Sequence, residues 1–362
     1  MKRIGAFLRK SPLSVFLLAI PLTVIAQSAN FNPGWVFAFS ALSVIPLAGF
    51  IGEATEALAV YTGPKVGGLL NATLGNAAEL IITLTAIRAG LLDLVKASIT
   101  GSILGNLLLV LGMAMVMGGA RHGVQHFDRR HTSNHVVLLA LTIIALVIPS
   151  FFSQFIGANS DPKVEALSLG VAIVMMALYV IGLVYSLKAP KTPLTFEPAT
   201  DERKHPTYSR LTALIILAIA TGGVVWMSEV LVGATEHVVS SLGLSEFFLG
   251  IILIPIVGNV AEHLVAVQVA LRNKMELSVE IAVSSSLQVA LFVAPLLVFV
   301  SLLFGHSLQL IFNQFELLAL GAAVVITALV AADGESNWLE GSALLAVYAI
   351  LGLGFFLLPA IK

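Results

Sequence analysis

Apolar runs of about 20 residues recur along almost the whole of the 362-residue chain, and each is long enough to cross a bilayer. Nothing else in the sequence limits the fold as much. Only 11% of residues are charged, whereas a soluble domain carries about 25%. Lipid is therefore the main solvent, and the chain reads as an all-α polytopic membrane protein. The lipid bilayer is the partner this implies. A net charge of −1 gives no sign of a nucleic-acid partner. There is no cysteine, which excludes disulfides and thiolate metal sites.

About eleven spans can be drawn, near 12–28, 34–61, 66–90, 93–118, 134–153, 163–187, 209–241, 245–271, 277–304, 310–332 and 338–359. The first follows Lys2, Arg3, Arg9 and Lys10 and imitates a signal peptide. With ten more spans behind it, it reads as an uncleaved accessory helix over 1–30. The proline-rich stretch 188–208 reads as a linker. With the N-terminus in the cytoplasm, fifteen of the nineteen Lys and Arg fall on the cytoplasmic side, leaving only Arg88, Lys96, Lys163 and Lys362 outside. That orientation leaves the C-terminus outside.

Short motifs occur twice. "GNAAE" at 75–79 returns as "GNVAE" at 258–262, and "ATE" at 54–56 returns at 234–236. Ser98, Ser102 and Asn106 form an i, i+4, i+8 stripe, matched at an offset of 182 by Glu280, Ser284 and Gln288. The repeat unit is then five spans, over 31–187 and again over 209–362. Five is odd, so the two copies enter the membrane from opposite sides. That is the inverted-repeat plan of many secondary transporters.

A carboxylate at mid-bilayer costs several kcal/mol and usually marks an ion path. Glu53, Glu56, Glu79, Glu229, Glu236, Glu262 and Glu280 all lie within spans, where basic partners are absent. Gly75–Asn76 and Gly258–Asn259 are expected to break their helices at mid-membrane, and Pro255 favours the break in the second copy. An unwound turn frees carbonyl oxygens where they line a cavity. The ligand set is then carboxylate, amide, hydroxyl and carbonyl oxygen, which suits a hard cation, Ca²⁺ above Mg²⁺. Two glutamates neutralise one divalent ion. Once it leaves, the carboxylates repel each other, and taking up H⁺ relieves that. One pair therefore holds metal or protons in turn. His263 adjoins Glu262 and is a candidate proton relay, with a packed or water-facing histidine as the plainer reading. Asp333, Glu335 and Glu340 read as a polar turn.

The stretches "GNAAELIITLTAIRAGLLDLVKASITGSILGNLLLVLG" and "GNVAEHLVAVQVALRNKMELSVEIAVSSSLQVALFVAP" resemble the paired repeat motifs of the Ca²⁺/H⁺ exchanger (CAX) family. The resemblance implies a prokaryotic member in the cytoplasmic membrane, with Glu79 and Glu262 as central Ca²⁺ and proton sites. Asn76, Asn259, Ser98, Asn106, Ser285 and Gln288 match supporting positions. Glu56 and Glu236 match acidic residues of two long gating helices. The family often carries an acidic central loop, but here the linker has only Glu197, Asp201 and Glu202. No cofactor is implied, since Ca²⁺ and H⁺ are cargo. The oligomeric state stays open, a homo-oligomer included. The nearest alternative is a Na⁺/Ca²⁺ exchanger. By resemblance, that branch has hydroxyl residues and proline before the glutamate, where this chain has Ala77–Ala78 and Val260–Ala261. An intramembrane enzyme is more distant, because neither H-E-x-x-H nor G-x-S-x-G occurs.

Overall fold

The computed structural model describes residues 12–157, 161–188 and 207–358. Most of the linker, with Glu197, Asp201 and Glu202, lies outside the described residues. What is described is nearly all helix. A 3₁₀ turn (Pro12–Leu18) leads into α1 (Ala19–Ser28), and α2 (Pro33–Leu74) and α3 (Ala77–Arg88) follow. Next, α4 (Leu92–Leu104) runs through a π-helical segment, Gly105–Val110, into α5 (Leu111–His122). The first half closes with α6 (Arg129–Ile156) and α7 (Pro162–Lys188).

The second half opens with α8 (Arg210–Leu242). A single turn and a π segment, Leu249–Leu253, lead into α9 (Ile254–Ala270). After α10 (Met275–Gln288), a third π segment, Val289–Val293, runs into α11 (Ala294–Ser301). The chain ends with α12 (Gln314–Val330) and α13 (Trp338–Leu357). The strands among the described residues are β1 (Gln125–His126) and β2 (Glu335–Ser336), which pair antiparallel and tie two loops together.

Eight helical stretches among the described residues are long and apolar enough to cross a bilayer, and Leu13–Ser28 and Gln314–Val330 are shorter apolar helices. The expected span at 66–90 is divided between the end of α2 and α3. The two longest helices, α2 and α8, pack along one another. Each is interrupted or ended by a glycine with positive φ. Gly63 (φ 82°) bends α2, and Gly243 (φ 67°) terminates α8. Only glycine takes such backbone without strain. The two "ATE" threonines match as well. Thr55 and Thr235 are both buried and donate to the carbonyls one turn back, Ile51 and Leu231.

The expected breaks at Gly–Asn come out reversed. The first copy does break, since Gly75 and Asn76 form a turn between α2 and α3. The second copy does not. α9 runs unbroken through Gly258–Asn259, and Pro255 sits in its first turn behind the π segment. Proline lacks an N–H and is tolerated at a helix start, so the irregularity moved one turn upstream of the motif.

Small residues set the central crossings, because lipid gives helices little hydrophobic reason to associate. A Cβ added at Gly101 of α4 would overlap the Ile251 carbonyl and lie 2.6 Å from Pro255 Cγ. A Cβ added at Gly250 would meet Ala97 Cβ at 2.6 Å on the same contact. Gly341 of α13 would meet Gly112 O of α5 at 2.7 Å. Gly101→Ala should therefore lower the thermal midpoint of the purified protein, with an overpacking cost of about 1–3 kcal/mol. Gly105→Ala, where an added Cβ meets nothing within 4 Å, should leave it unchanged; fluorescence-detected size exclusion after heating reads both.

Candidate functional site

The two "GN-x-A-E" copies meet in the centre of the molecule. Glu79 lies in the first turn of α3 and is 1% exposed. Glu262 lies in mid-α9 and is half-buried. Each motif's glycine faces the other motif's glutamate. The Cβ position of Gly75 is 3.5 Å from Glu262 Oε1, and that of Gly258 is 3.8 Å from Glu79 Cβ. At these distances an added Cβ would make ordinary contact with the facing glutamate; the tight approach at Gly75 is to the Asn71 carbonyl, 2.5 Å away. Gly75 is exposed while Glu79 is sealed, so the pair is reached from the Glu262 side.

A matched set of donors holds the two carboxylates. Ser102 Oγ of α4 donates to Glu79 Oε1 in a very short bond. Ser285 Oγ of α10 donates to Glu262 Oε2 at 2.9 Å. In both copies the serine lies 23 residues after its glutamate. The amides cross between halves. Asn259 Nδ2 donates to Ser102 Oγ at 3.2 Å, and Asn76 Nδ2 to Gln288 Oε1 at 2.9 Å. Each serine occupies one oxygen of its glutamate. Glu79 Oε2 is left buried without a hydrogen-bond partner among the described residues. Glu262 Oε1 points toward Gly75.

The serine spacing corrects the sequence alignment of the two stripes. The counterpart of Ser102 is Ser285, at an offset of 183, and not Ser284 at 182. Ser284 and Glu280 are half-buried on α10, and the bond to Glu262 comes from Ser285. A one-residue shift turns a helix by about 100°, which decides which of three consecutive serines faces the site. Ser98 and Asn106 are buried near Ser102, and Ser98 Oγ and Asn106 Nδ2 have no hydrogen-bond partner among the described residues. Two of the π segments follow these stripes, at Gly105–Val110 and Val289–Val293, and such widened turns frequently mark functional sites.

Other expected residues separate. Glu56 and Glu236 are exposed on α2 and α8. Glu53 accepts the Tyr208 hydroxyl at 2.8 Å. Burial and that carboxylate push the Tyr208 phenol up to about 12, so it remains a donor. Tyr61 Oη donates to the Tyr208 carbonyl at 3.0 Å, and the Arg210 guanidinium sits 4.8 Å over the Tyr61 ring. Glu53 therefore helps fasten α2 to the start of α8. Glu229 does have a cation. Arg88 Nη1 lies 3.5 Å from its Oε1, both side chains being exposed, because α3 ends beside α8 and brings Arg88 to it. His263 is 5% exposed, and its Nε2 has no hydrogen-bond partner among the described residues. Asp333 and Glu340 do cap backbone N–H groups, as a polar turn requires. A buried acid the sequence reading missed is Glu316, 2% exposed at the start of α12. Its signal was the capping box Asn313-x-x-Glu316 before an apolar run.

Two carboxylates with hydroxyl and amide groups, and no soft ligand, can hold a hard divalent cation or two protons. Among the described residues no group of three or more His, Cys, Asp or Glu side chains could hold a metal ion.

The chain matches the family model described as sodium/calcium exchanger protein, over residues 33–188 and 212–357. It is 44% identical over 346 residues to the Ca²⁺/H⁺ antiporter ChaA of Bacillus subtilis (strain 168), covering 94% of this chain and 97% of that one. It is 41% identical over 358 residues to the Ca²⁺/H⁺ antiporter of Aphanothece halophytica, with 95% and 96% covered. The solved structure of native YfkE superposes with a TM-score of 0.84 at 40% identity, over 96% of this chain and 100% of that one.

Proposed function

The chain belongs to the sodium/calcium exchanger protein family, and we propose that it works as a secondary antiporter that exchanges Ca²⁺ for H⁺ by alternating access. It is a transporter and not an enzyme. The observation that carries the site assignment is the reciprocal packing of Glu79 and Glu262. Each sits against the other motif's glycine and keeps one oxygen free of its serine.

In this reading Ca²⁺ lies between the two carboxylates, with oxygens of Asn76, Asn259, Ser102, Ser285 and Gln288 around it. Two negative charges balance the ion. When it leaves, neither carboxylate has a cationic partner, and their mutual repulsion in low dielectric is relieved by protons. Two protons per Ca²⁺ keep the pair neutral in both states. The same oxygens serve both cargoes, so neither is released unless the other replaces it. Ser102 and Ser285 orient the glutamates in either state. Glu56 and Glu236, exposed on the two long helices, act as ion-path acids, and His263 is a candidate proton relay beside the pair.

The membrane arrangement belongs to the same proposal. An accessory helix precedes two oppositely inserted five-helix repeats, eleven spans in all, in a prokaryotic cytoplasmic membrane with the N-terminus in the cytoplasm and the C-terminus outside. The matched Gly63 and Gly243, Thr55 and Thr235, and Ser102 and Ser285 support the repeat.

The test is ⁴⁵Ca²⁺ uptake by reconstituted vesicles against imposed H⁺ or Na⁺ gradients. A pH step should drive uptake; uptake driven by Na⁺ alone would move the chain to the Na⁺/Ca²⁺ branch. Glu79→Gln and Glu262→Gln should each abolish exchange, and near-normal transport by either would refute the site. The Ca²⁺ concentration for half-maximal uptake should rise as pH falls, since protons occupy the carboxylates that Ca²⁺ needs. Ser285→Ala should weaken Ca²⁺ several-fold, for about 1 kcal/mol or more of a lost bond to a charged group. Ser284→Ala should stay close to wild type, and a reversed order would restore the 182-residue alignment.

A further inference from the structure

Glu316 is a buried acid that the exchange reading does not use. It sits on α12, 2% exposed, where a charge must be held by specific partners. One oxygen, Oε2, accepts the Asn313 backbone N–H at 2.9 Å, and Asn313 Oδ1 accepts the Glu316 N–H at 2.9 Å. That closes the capping box, which glutamine also closes. The cap alone therefore does not call for an acid. The second oxygen reaches sideways, and Thr100 Oγ1 of α4 donates to it at 3.2 Å. Lys96, one turn before Thr100, pairs with Asp93 at 2.7 Å, and both lie close enough to act on the Glu316 charge.

Thr100 and Ser102 are two residues apart on one helix, so about 200° separates them. One face of α4 is gripped by Glu316, and the opposite face presents Ser102 to Glu79 and Asn259. Between them, Gly101 lies against Ile251 and Pro255. A glycine contact permits close approach but offers no side chain to stop rotation. The Thr100 bond supplies that stop.

We propose that Glu316 is a positioning residue for the ion site: by holding Thr100 it sets the rotation of α4 that presents Ser102 to Glu79. This rests on the reading of Glu79 and Glu262 as the transport pair.

The test uses the full chain in proteoliposomes, with pH-driven ⁴⁵Ca²⁺ uptake. Thr100→Val removes the donor at nearly constant shape and leaves the capping box whole. It should raise the half-maximal Ca²⁺ concentration about three- to ten-fold, the worth of one typical hydrogen bond. The maximal rate should stay within about two-fold, and Thr100→Ser should restore affinity. In a Ser102→Ala background, Thr100→Val should add nothing further, because its effect runs through Ser102. Multiplying effects, an unchanged affinity, or failure of the serine rescue would each overturn the proposal. So would early melting with a lost maximal rate, which marks a purely structural bond. Active Glu79→Gln would instead sink the transport-pair reading, whatever Thr100→Val does.

Discussion

Two carboxylates share a buried centre where, among the described residues, no Lys or Arg pairs with either of them, and the rest of the site is arranged around that. Each lies against the other motif's glycine. They remain oriented because each receives one serine hydroxyl from a neighbouring helix. The amide bonds that cross between halves keep the two motifs in register. A lysine at the centre would settle the charge permanently and leave no role for cargo. Among the described residues none sits there, so under the proposed exchange charge balance depends on whatever ion occupies the pair.

The halves achieve the same centre by different backbone means. The first copy breaks α2 from α3 at Gly75–Asn76, so Glu79 lies near a helix N-terminus, where the macrodipole favours negative charge. The second copy keeps Glu262 within an unbroken helix and puts its irregularity into the π segment before Pro255. Glu79 is sealed while Glu262 is partly exposed. One chain with near-identical motifs therefore presents two chemically unequal carboxylates, with access from one side.

Much of this was legible in the residues. The scarcity of charge announced the membrane, and the doubled motif announced the pair. The serines were visible as polar stripes on apolar helices. What was not legible is equally specific. Ser284, Ser285 and Ser286 are consecutive; the stripe alignment picks Ser284 and the family resemblance Ser285, and only the fold shows that Ser285 reaches Glu262. Arg88 lies at a helix end, and nothing in its surroundings in the sequence names Glu229 as its partner. The spacing Asn313-x-x-Glu316 marks no more than a helix cap, and only the packing of α12 against α4 brings Thr100 to Glu316. Pro255 suggested a broken helix because proline breaks helices in general, but here it falls where its missing N–H costs little.

By itself the sequence determined the solvent, the helical class, the doubled motif and the chemical type of the residues in it. These depend on residue identity and on spacing along one helix, which local geometry converts directly into faces. The tertiary structure decided which serine serves which glutamate, which glycine faces which glutamate, and which half breaks its helix. Those depend on how helices rotate and cross, and a rotation of one residue, about 100°, changes every partner without changing any pattern in the chain.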